Sequence, residues 1–325
     1  MKFRTEFNIP VSQFKINSKS KVLTIGSCFS DVLGNYLINN KISCLNNPFG
    51  NIYNLEAISK IISIILEKKD IDPKKIIEVD EIFFHYDYHS TIKAYSAQKL
   101  VENISKINLE IFSFLKDCDF LVITLGTSWV YYHKNLEAFV SNCHKQPNYV
   151  FDKILISLSH QIEIFKSLLE NLRIFNPNLK ILLTVSPVRH LKDGIPQNQV
   201  SKSILRVLCN EICCNNKNIA YFPSYELMMD DLRDYRFYKE DLIHPTEMAE
   251  KYILKAFENA YFDQDLIECL KVFDKIKNSL NHKPFNPNSK AHQQFLNKTK
   301  DKLLMLKQKI DVSEEINQID NLIIS

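Results

Sequence analysis

Residues 21–40 read Lys-Val-Leu-Thr-Ile-Gly-Ser-Cys-Phe-Ser-Asp-Val-Leu-Gly-Asn-Tyr-Leu-Ile-Asn-Asn, and this stretch decides the fold class. Residues 21–25 form a short apolar, β-branched run that stops at Gly26, the pattern of a buried strand. Phe29, Val32, Leu33, Tyr36 and Leu37 then recur at helical spacing over residues 29–38. The order is strand, tight turn, helix. Two further runs repeat the strand pattern. Residues 119–125 (DFLVITL) also stop at a glycine, and residues 180–185 (KILLTV) stop at Ser186-Pro187. Residues 219–222 make a shorter fourth strand. Helical periodicity covers residues 55–66, 99–115, 152–175, 199–214 and 246–262. Residues 44–54 (CLNNPFGNIYN) are dense in turn formers and read as a loop, whereas the aromatic, His-rich residues 82–96 carry no clear period. Apolar strands separated by amphipathic helices predict an α/β fold with a parallel sheet covered on both faces. Sites in such sheets lie at the carboxyl ends of the strands, so the turns after Ile25, Leu125 and Val185 should meet at one rim.

The bulk numbers set limits on function. The chain has 325 residues, 45% hydrophobic and 24% charged, with a net charge of +3. Its lysines are scattered, so charge argues for neither a nucleic-acid nor an anionic-membrane partner. No apolar run approaches the roughly 18 residues of a membrane span. The first residues lack the apolar core of a signal peptide, which predicts a cytoplasmic protein with reduced thiols. No two of the eight cysteines have CxxC spacing, so no zinc or dithiol motif is expected. Residues 1–262 read as one catalytic domain. Residues 263–325 are rich in Lys, Asn and Gln and read as a helical extension with a loop near residues 284–289. There Leu303, Leu306, Ile310, Ile316, Ile319 and Leu322 form an intermittent stripe that either packs on the domain or mediates self-association.

Four motifs carry chemistry. Gly26-Ser27-Cys28-Phe29 places a nucleophile, Cys28 or Ser27, at a helix N-terminus. Backbone N–H groups there lower a thiol pKa and serve as oxyanion donors. Asp241-Leu242-Ile243-His244-Pro245 offers His244 as a base with Asp241 fixing its tautomer. In Leu125-Gly126-Thr127-Ser128-Trp129, Gly126 lets backbone approach a substrate, and Thr127 or Ser128 is a hydrogen-bond donor. In residues 47–54 the N–H of Gly50 is a further oxyanion donor. Taken singly, each motif is also read as an ordinary turn, loop or buried thiol.

Their order resembles the SGNH/GDSL hydrolase pattern. That group has a Gly-Asp-Ser block after the first strand, then a glycine block, an asparagine block, and an Asp and His three apart near the end. More closely, the sequence is similar to the GSCFA family within that group. The matching stretches are Phe3-Arg-Thr5, Ile25-Gly-Ser-Cys-Phe-Ser30, Asn47-Pro-Phe-Gly-Asn51 with Tyr53-Asn54, Leu125-Gly-Thr127 and Asn142-Cys-His-Lys145. They continue with Ser186-Pro-Val-Arg-His190, Asn198, Ser201-Lys202, and Tyr235-Arg-Phe-Tyr238 leading to Asp241 and His244. The resemblance implies a three-layer, flavodoxin-like parallel sheet. It implies Cys28 or Ser27, Asp241 and His244 as catalytic residues, with Gly50, Gly126 and Ser128 around the oxyanion. Arg189, His144 and Asn51 are then the substrate-binding candidates. Two departures stand out: Cys28 occupies the serine position with Ser27 in place of the aspartate, and the shorter Ser128 occupies the asparagine position. A similar-looking group of polysaccharide-biosynthesis acyltransferases carries a Gly-Asn-Cys block, and position favours Cys28.

The expected function is esterase or acyltransferase chemistry on a small-molecule or saccharide-related substrate. No cofactor is expected beyond an acyl donor such as an acyl-CoA in the transferase case. The alternative is a non-catalytic binding protein on a degenerate SGNH fold. A metal enzyme using His85, His89 and His144 is disfavoured, because HxxxH spacing suits ligands only on a helix and that stretch is not helical in pattern.

Overall fold

The computed structural model describes residues 4–281 and 284–323, which leaves Phe3 of the first matching stretch outside. Five strands build the central sheet: β1 (Lys21–Gly26), β2 (Ser43–Asn46), β5 (Phe120–Leu125), β9 (Lys180–Val185) and β10 (Ile219–Phe222). Two pieces lie outside it. A hairpin joins β3 (Ile76–Val79) to β4 (Ile82–His85), and β6 (Trp129–His133), β7 (Ala138–Val140) and β8 (Phe151–Leu155) form a small antiparallel sheet. The helices are α1 (Cys28–Asn39), α2 (Leu55–Leu66), α3 (Ala97–Lys116), α4 (Leu158–Phe175), α5 (Ile195–Cys214), the single turn α6 (Ser224–Glu226), α7 (Glu247–Tyr261), α8 (Gln264–Asn281), α9 (Lys290–Leu306) and α10 (Ser313–Asp320).

The central sheet is parallel throughout, in the order β10-β9-β5-β1-β2. This is a flavodoxin-like doubly wound order, whose switch point lies between β1 and β5. Alternation along each strand sends neighbours to opposite faces. Leu23, Ile25, Leu121, Ile123 and Leu183 join the core formed with α2, α3, α4 and α5. Val22, Phe120, Val122, Leu182 and Phe222 join the other core, with α1 and α7. Leu266, Leu270, Phe273, Leu303 and Ile319 of the last three helices lie in that same second core. The C-terminal extension thus packs on the domain and completes its outer layer, with Leu303, Leu306, Ile310, Ile316 and Ile319 all buried.

Two readings need correction. Residues 44–54 are not loop throughout, because Ser43–Asn46 pairs with β1 as the edge strand. That strand is four residues long, half-polar and partly exposed, so it carries no apolar run. Nor is residues 152–175 one helix. Phe151–Leu155 is strand β8, largely exposed, and α4 starts at Leu158 behind the Ser157 cap, whose side chain accepts the N–H of His160 at 3.3 Å. The cap marks the true start.

Gly26 closes β1 with φ +137°, and a Cβ there would sit 2.1 Å from the Thr124 carbonyl oxygen. Only glycine suits a turn so close to a neighbouring strand. Gly26→Ala is expected to cost about 3 kcal/mol through backbone strain and overpacking. Urea unfolding midpoints check this, and a loss below about 1 kcal/mol would mean that the turn relaxes freely.

Candidate active site

The carboxyl ends of β1, β5 and β9 are sewn together by backbone bonds. The Ser27 N–H donates to Thr124 O at 3.0 Å, and the Ser186 N–H to Leu125 O at 2.8 Å. The Gly26 N–H donates to Asn47 Oδ1 at 3.1 Å. This turn starts α1 at Cys28, so the thiol stands at the first helical position. The two candidate nucleophiles then separate. Ser27 is fully buried, and its hydroxyl makes no hydrogen bond, not even a helix cap. Cys28 is partly exposed and lines a cavity of about 450 Å³.

The electrostatics of Cys28 differ from the sequence expectation. Burial and then the charge of Asp31 raise its thiol pKa, and together they outweigh the Lys202 charge and the N–H groups of Cys28 and Phe29, which lower it. The helix N-terminus acts in the expected direction and loses. The balance of these effects favours the thiol form of Cys28.

A carboxylate-bound imidazole lies in the turn before α7. Asp241 Oδ1 accepts the N–H groups of Ile243 at 2.8 Å and His244 at 3.0 Å, while Oδ2 meets His244 Nδ1 at 2.6 Å. A carboxylate on Nδ1 fixes the proton there and leaves Nε2 as the basic nitrogen. His244 lines the same cavity as Cys28. Leu242 takes the left-handed region at φ +57°, and Arg189 Nη2 donates to its carbonyl oxygen. The Arg189 guanidinium lies 4.3 Å from the Tyr238 ring centroid. Arg189 lines the cavity too, so it both borders the site and holds the Asp241–His244 turn.

The His244 N–H, then its ring, then the Ile243 N–H hold the Asp241 carboxyl well below the usual carboxylate range. A depressed carboxylate pKa contributes stability that is present above the unfolded value of about 3.9 and lost as pH falls. The carboxyl carbon of Asp241 is therefore expected to show an NMR titration midpoint below about pH 3. A midpoint near the ordinary value of about 3.9 would mean that the His244 contact is absent in solution.

The other expected residues divide. Gly50, Gly126 and Ser128 do not offer free donors. Gly50 N–H is bound to Asn47 O at 2.8 Å, and Gly126 N–H to Tyr53 O at 2.7 Å. Ser128 is buried, with its N–H on Ser201 Oγ at 2.7 Å and its hydroxyl on Ser201 O at 3.0 Å. These groups fix the rim instead. His144 is buried against Phe84 and bonded to His85 O, and Asn51 accepts from Asn47 Nδ2; neither lines the cavity. His85 and His89 are engaged with Asp72 O and Thr91. Among the described residues no group of three or more His, Cys, Asp or Glu is placed to hold a metal ion, and no helix is long and apolar enough to cross a membrane.

Three residues of the matching stretches that were not among the expected site residues enter here. Asn54 lines the cavity; its Oδ1 caps α2 by accepting the Ala57 N–H at 2.9 Å, leaving its amide NH2 free of any protein partner among the described residues. Its place just before residues 55–66 is an N-cap signal. His190 also lines the cavity, edge-on to Tyr53 with centroids 5.5 Å apart. Burial chiefly, then the charges of Lys202 and Lys153, pull its pKa to about 3, so it is a neutral ring. Lys202 lies on the buried stripe of α5 with Asn198, Ser201, Leu205 and Leu208. A lysine at an apolar position of that period was the available signal. Three larger concavities, of about 850, 840 and 560 Å³, contain neither Cys28 nor His244.

A doubly wound α/β fold with a thiol and an Asp-bound imidazole at the strand ends defines the class of protein to which the chain is compared. The chain belongs to the GSCFA family, whose model matches residues 21–257, and residues 273–325 match the GSCFA domain protein, C-terminal domain. No curated protein matches it. Among solved structures it is similar to a family 3 carbohydrate esterase from Clostridium thermocellum, with 10% identity, TM-score 0.35 and coverage of 78% of this chain and 98% of that one. It is also similar to a family 3 carbohydrate esterase from Talaromyces cellulolyticus (8% identity, TM-score 0.36, 78% and 98% covered). A third is an acetyl xylan esterase from the rumen bacterium Butyrivibrio proteoclasticus (11% identity, TM-score 0.36, 84% and 66% covered). These likenesses are distant.

Proposed function

We propose that this chain is an acyl-ester enzyme that works through a thioester on Cys28. The observation that carries the reading is that Cys28 and the Asp241-bound His244 line one cavity at the carboxyl edge of the sheet. His244 Nε2 takes the thiol proton as the sulfur attacks the acyl carbonyl. The tetrahedral oxyanion is held by the Cys28 N–H and the Asn54 amide. When the intermediate collapses, the C–O bond breaks, and the proton on His244 passes to the departing alkoxide. Water or an acceptor hydroxyl then gives its proton to His244 and displaces the sulfur. Trp129 and Tyr131 give the cavity aromatic walls, which suit a saccharide ring as acceptor or leaving group.

The test is alcohol release from simple acetyl esters, with acetate and acetylated sugar measured together. Turnover that needs Cys28 supports the reading. Acetate alone makes the protein a hydrolase, whereas transfer that rises with sugar concentration makes it a transferase. One observation favours the competing binding-protein reading, namely that the donors of Gly50, Gly126 and Ser128 are all engaged. Sugar binding without turnover of any ester would carry that alternative.

A further inference from the structure

Three cations, Lys153, Arg189 and Lys192, and one carboxylate, Asp193, line the cavity that holds Cys28 and His244. The carboxylate is already engaged, because Asp193 is ion-paired with Lys153. Arg189 gives Nη2 to the Leu242 carbonyl and pairs with no carboxylate among the described residues, and neither does the exposed Lys192. Three positive charges against one negative leave the lining net positive, and the neutral His190 ring does not alter that. Lys153 also lies against the aromatic wall, its ammonium 5.3 Å from the Trp129 ring centroid and 5.7 Å from that of Tyr131. The same wall holds unused donors. Trp129 Nε1 and Arg189 Nε are N–H groups buried without an acceptor, and the Asn54 amide NH2 is free of any protein partner among the described residues. Two carboxylates act on the reacting pair from outside the lining, and both are engaged: Asp241 by His244, and Asp31 by the Asn47 amide at 3.1 Å. A cleft lined by an excess of one charge, with low-dielectric walls, draws in ligands of the opposite sign.

We propose that the substrate of this cavity is an anion, a sugar ester whose carboxylate or phosphate group is held by Lys192, Lys153 and Arg189 while its ester faces Cys28. This substrate class rests on the proposed function, which makes the cavity the reaction site. A carboxylate and a phosphate share the chemistry that such a lining reads, a charged oxygen group that accepts strong hydrogen bonds from ammonium and guanidinium donors. The sugar ring stacks on Trp129 and Tyr131, and the anion competes with Asp193 for the Lys153 ammonium. Arg189 also holds the Asp241–His244 turn through Leu242, so its charge ties the anion's place to that of the base. Lys192, which has no carboxylate partner of its own, is the specificity-determining residue. A neutral sugar ester would gain the stacking and none of the charge.

The test compares alkylation of Cys28 by iodoacetate, an anion, and by iodoacetamide, its neutral analogue, at one pH and low salt, followed by peptide mass in the full chain. Thiol ionisation affects both reagents alike, so it cancels in the ratio of their rates. That ratio is expected to be about fivefold or more higher at Cys28 than at the exposed Cys214, to fall by about fivefold in Lys192→Glu, and to approach the Cys214 value in high salt. Equal ratios at the two cysteines, or a Cys28 ratio that Lys192→Glu leaves unmoved, would overturn the proposal. The chemistry of the anion is read from protection of Cys28 against iodoacetamide by methyl glucuronide, glucose 6-phosphate and the neutral methyl glucoside. At least one anion should protect at a concentration about fivefold or more below that of the glucoside, and the better of the two tells carboxylate from phosphate. Protection no better by either anion than by the glucoside would overturn the proposal. Neither readout needs acyl turnover. Charge selectivity in a protein that cleaves no ester would sink the proposed function alone, whereas ester turnover without charge selectivity would sink the anionic substrate alone.

Discussion

Cys28→Ala is expected to lower ester turnover by about ten-thousandfold or more, the scale seen when a covalent nucleophile is removed. Ser27→Ala, one residue away, is expected to change the rate less than about threefold. The contrast follows from placement. Cys28 is at the first position of α1 and lines the cavity, whereas the Ser27 hydroxyl is buried without a partner. Deleting a buried hydroxyl that makes no hydrogen bond removes a desolvation cost and no interaction, so Ser27→Ala should be neutral or slightly stabilising. Steady-state rates and thermal unfolding of the two variants check both halves. A Ser27→Ala variant as slow as Cys28→Ala would mean that the serine turns outward to react.

His244→Ala is expected to lower turnover by about a thousandfold, within the range for loss of a positioned general base. It should add almost nothing to Cys28→Ala, because the two groups act as a unit. Asp241→Asn should fall nearly as far as His244→Ala. The amide would present an N–H to His244 Nδ1 or lose the bond, and the imidazole would no longer be held in the tautomer that leaves Nε2 basic. The resting Cys28 thiol, with its raised pKa, makes this dependence stronger than it would be for a preformed thiolate. Single-turnover acylation rates separate the effect on attack from that on release. Independent, multiplicative losses in the Cys28, His244 double variant would argue against a shared proton transfer.

The central sheet was readable because its strands are buried on both faces. KVLTIG, FLVITL and KILLTV are continuous apolar runs, and no exposed side imposes alternation. Strands β2 and β8 escaped for the opposite reason, being short edge pieces with exposed polar positions. The Asp241–His244 pair was legible as a spacing of three, since a turn of that length brings the carboxylate onto the ring. The oxyanion donors were not. Whether Gly50 and Gly126 are free depends on the carbonyls of Asn47 and Tyr53, which only the folded loop brings within reach. Lys202 shows the remaining limit: its place on the α5 stripe follows from periodicity, but its bond to the Ser186 carbonyl just past β9 comes only from the packing of α5 on the sheet.

The most direct test of the account is intact mass with peptide mapping after brief exposure to an activated acyl ester, on the wild type, Cys28→Ala, Ser27→Ala and His244→Ala. The account predicts one acyl group on Cys28 in the wild type and Ser27→Ala, little in His244→Ala and none in Cys28→Ala. Acylation of Ser27, or labelling spread over surface residues regardless of Cys28 and His244, would contradict it.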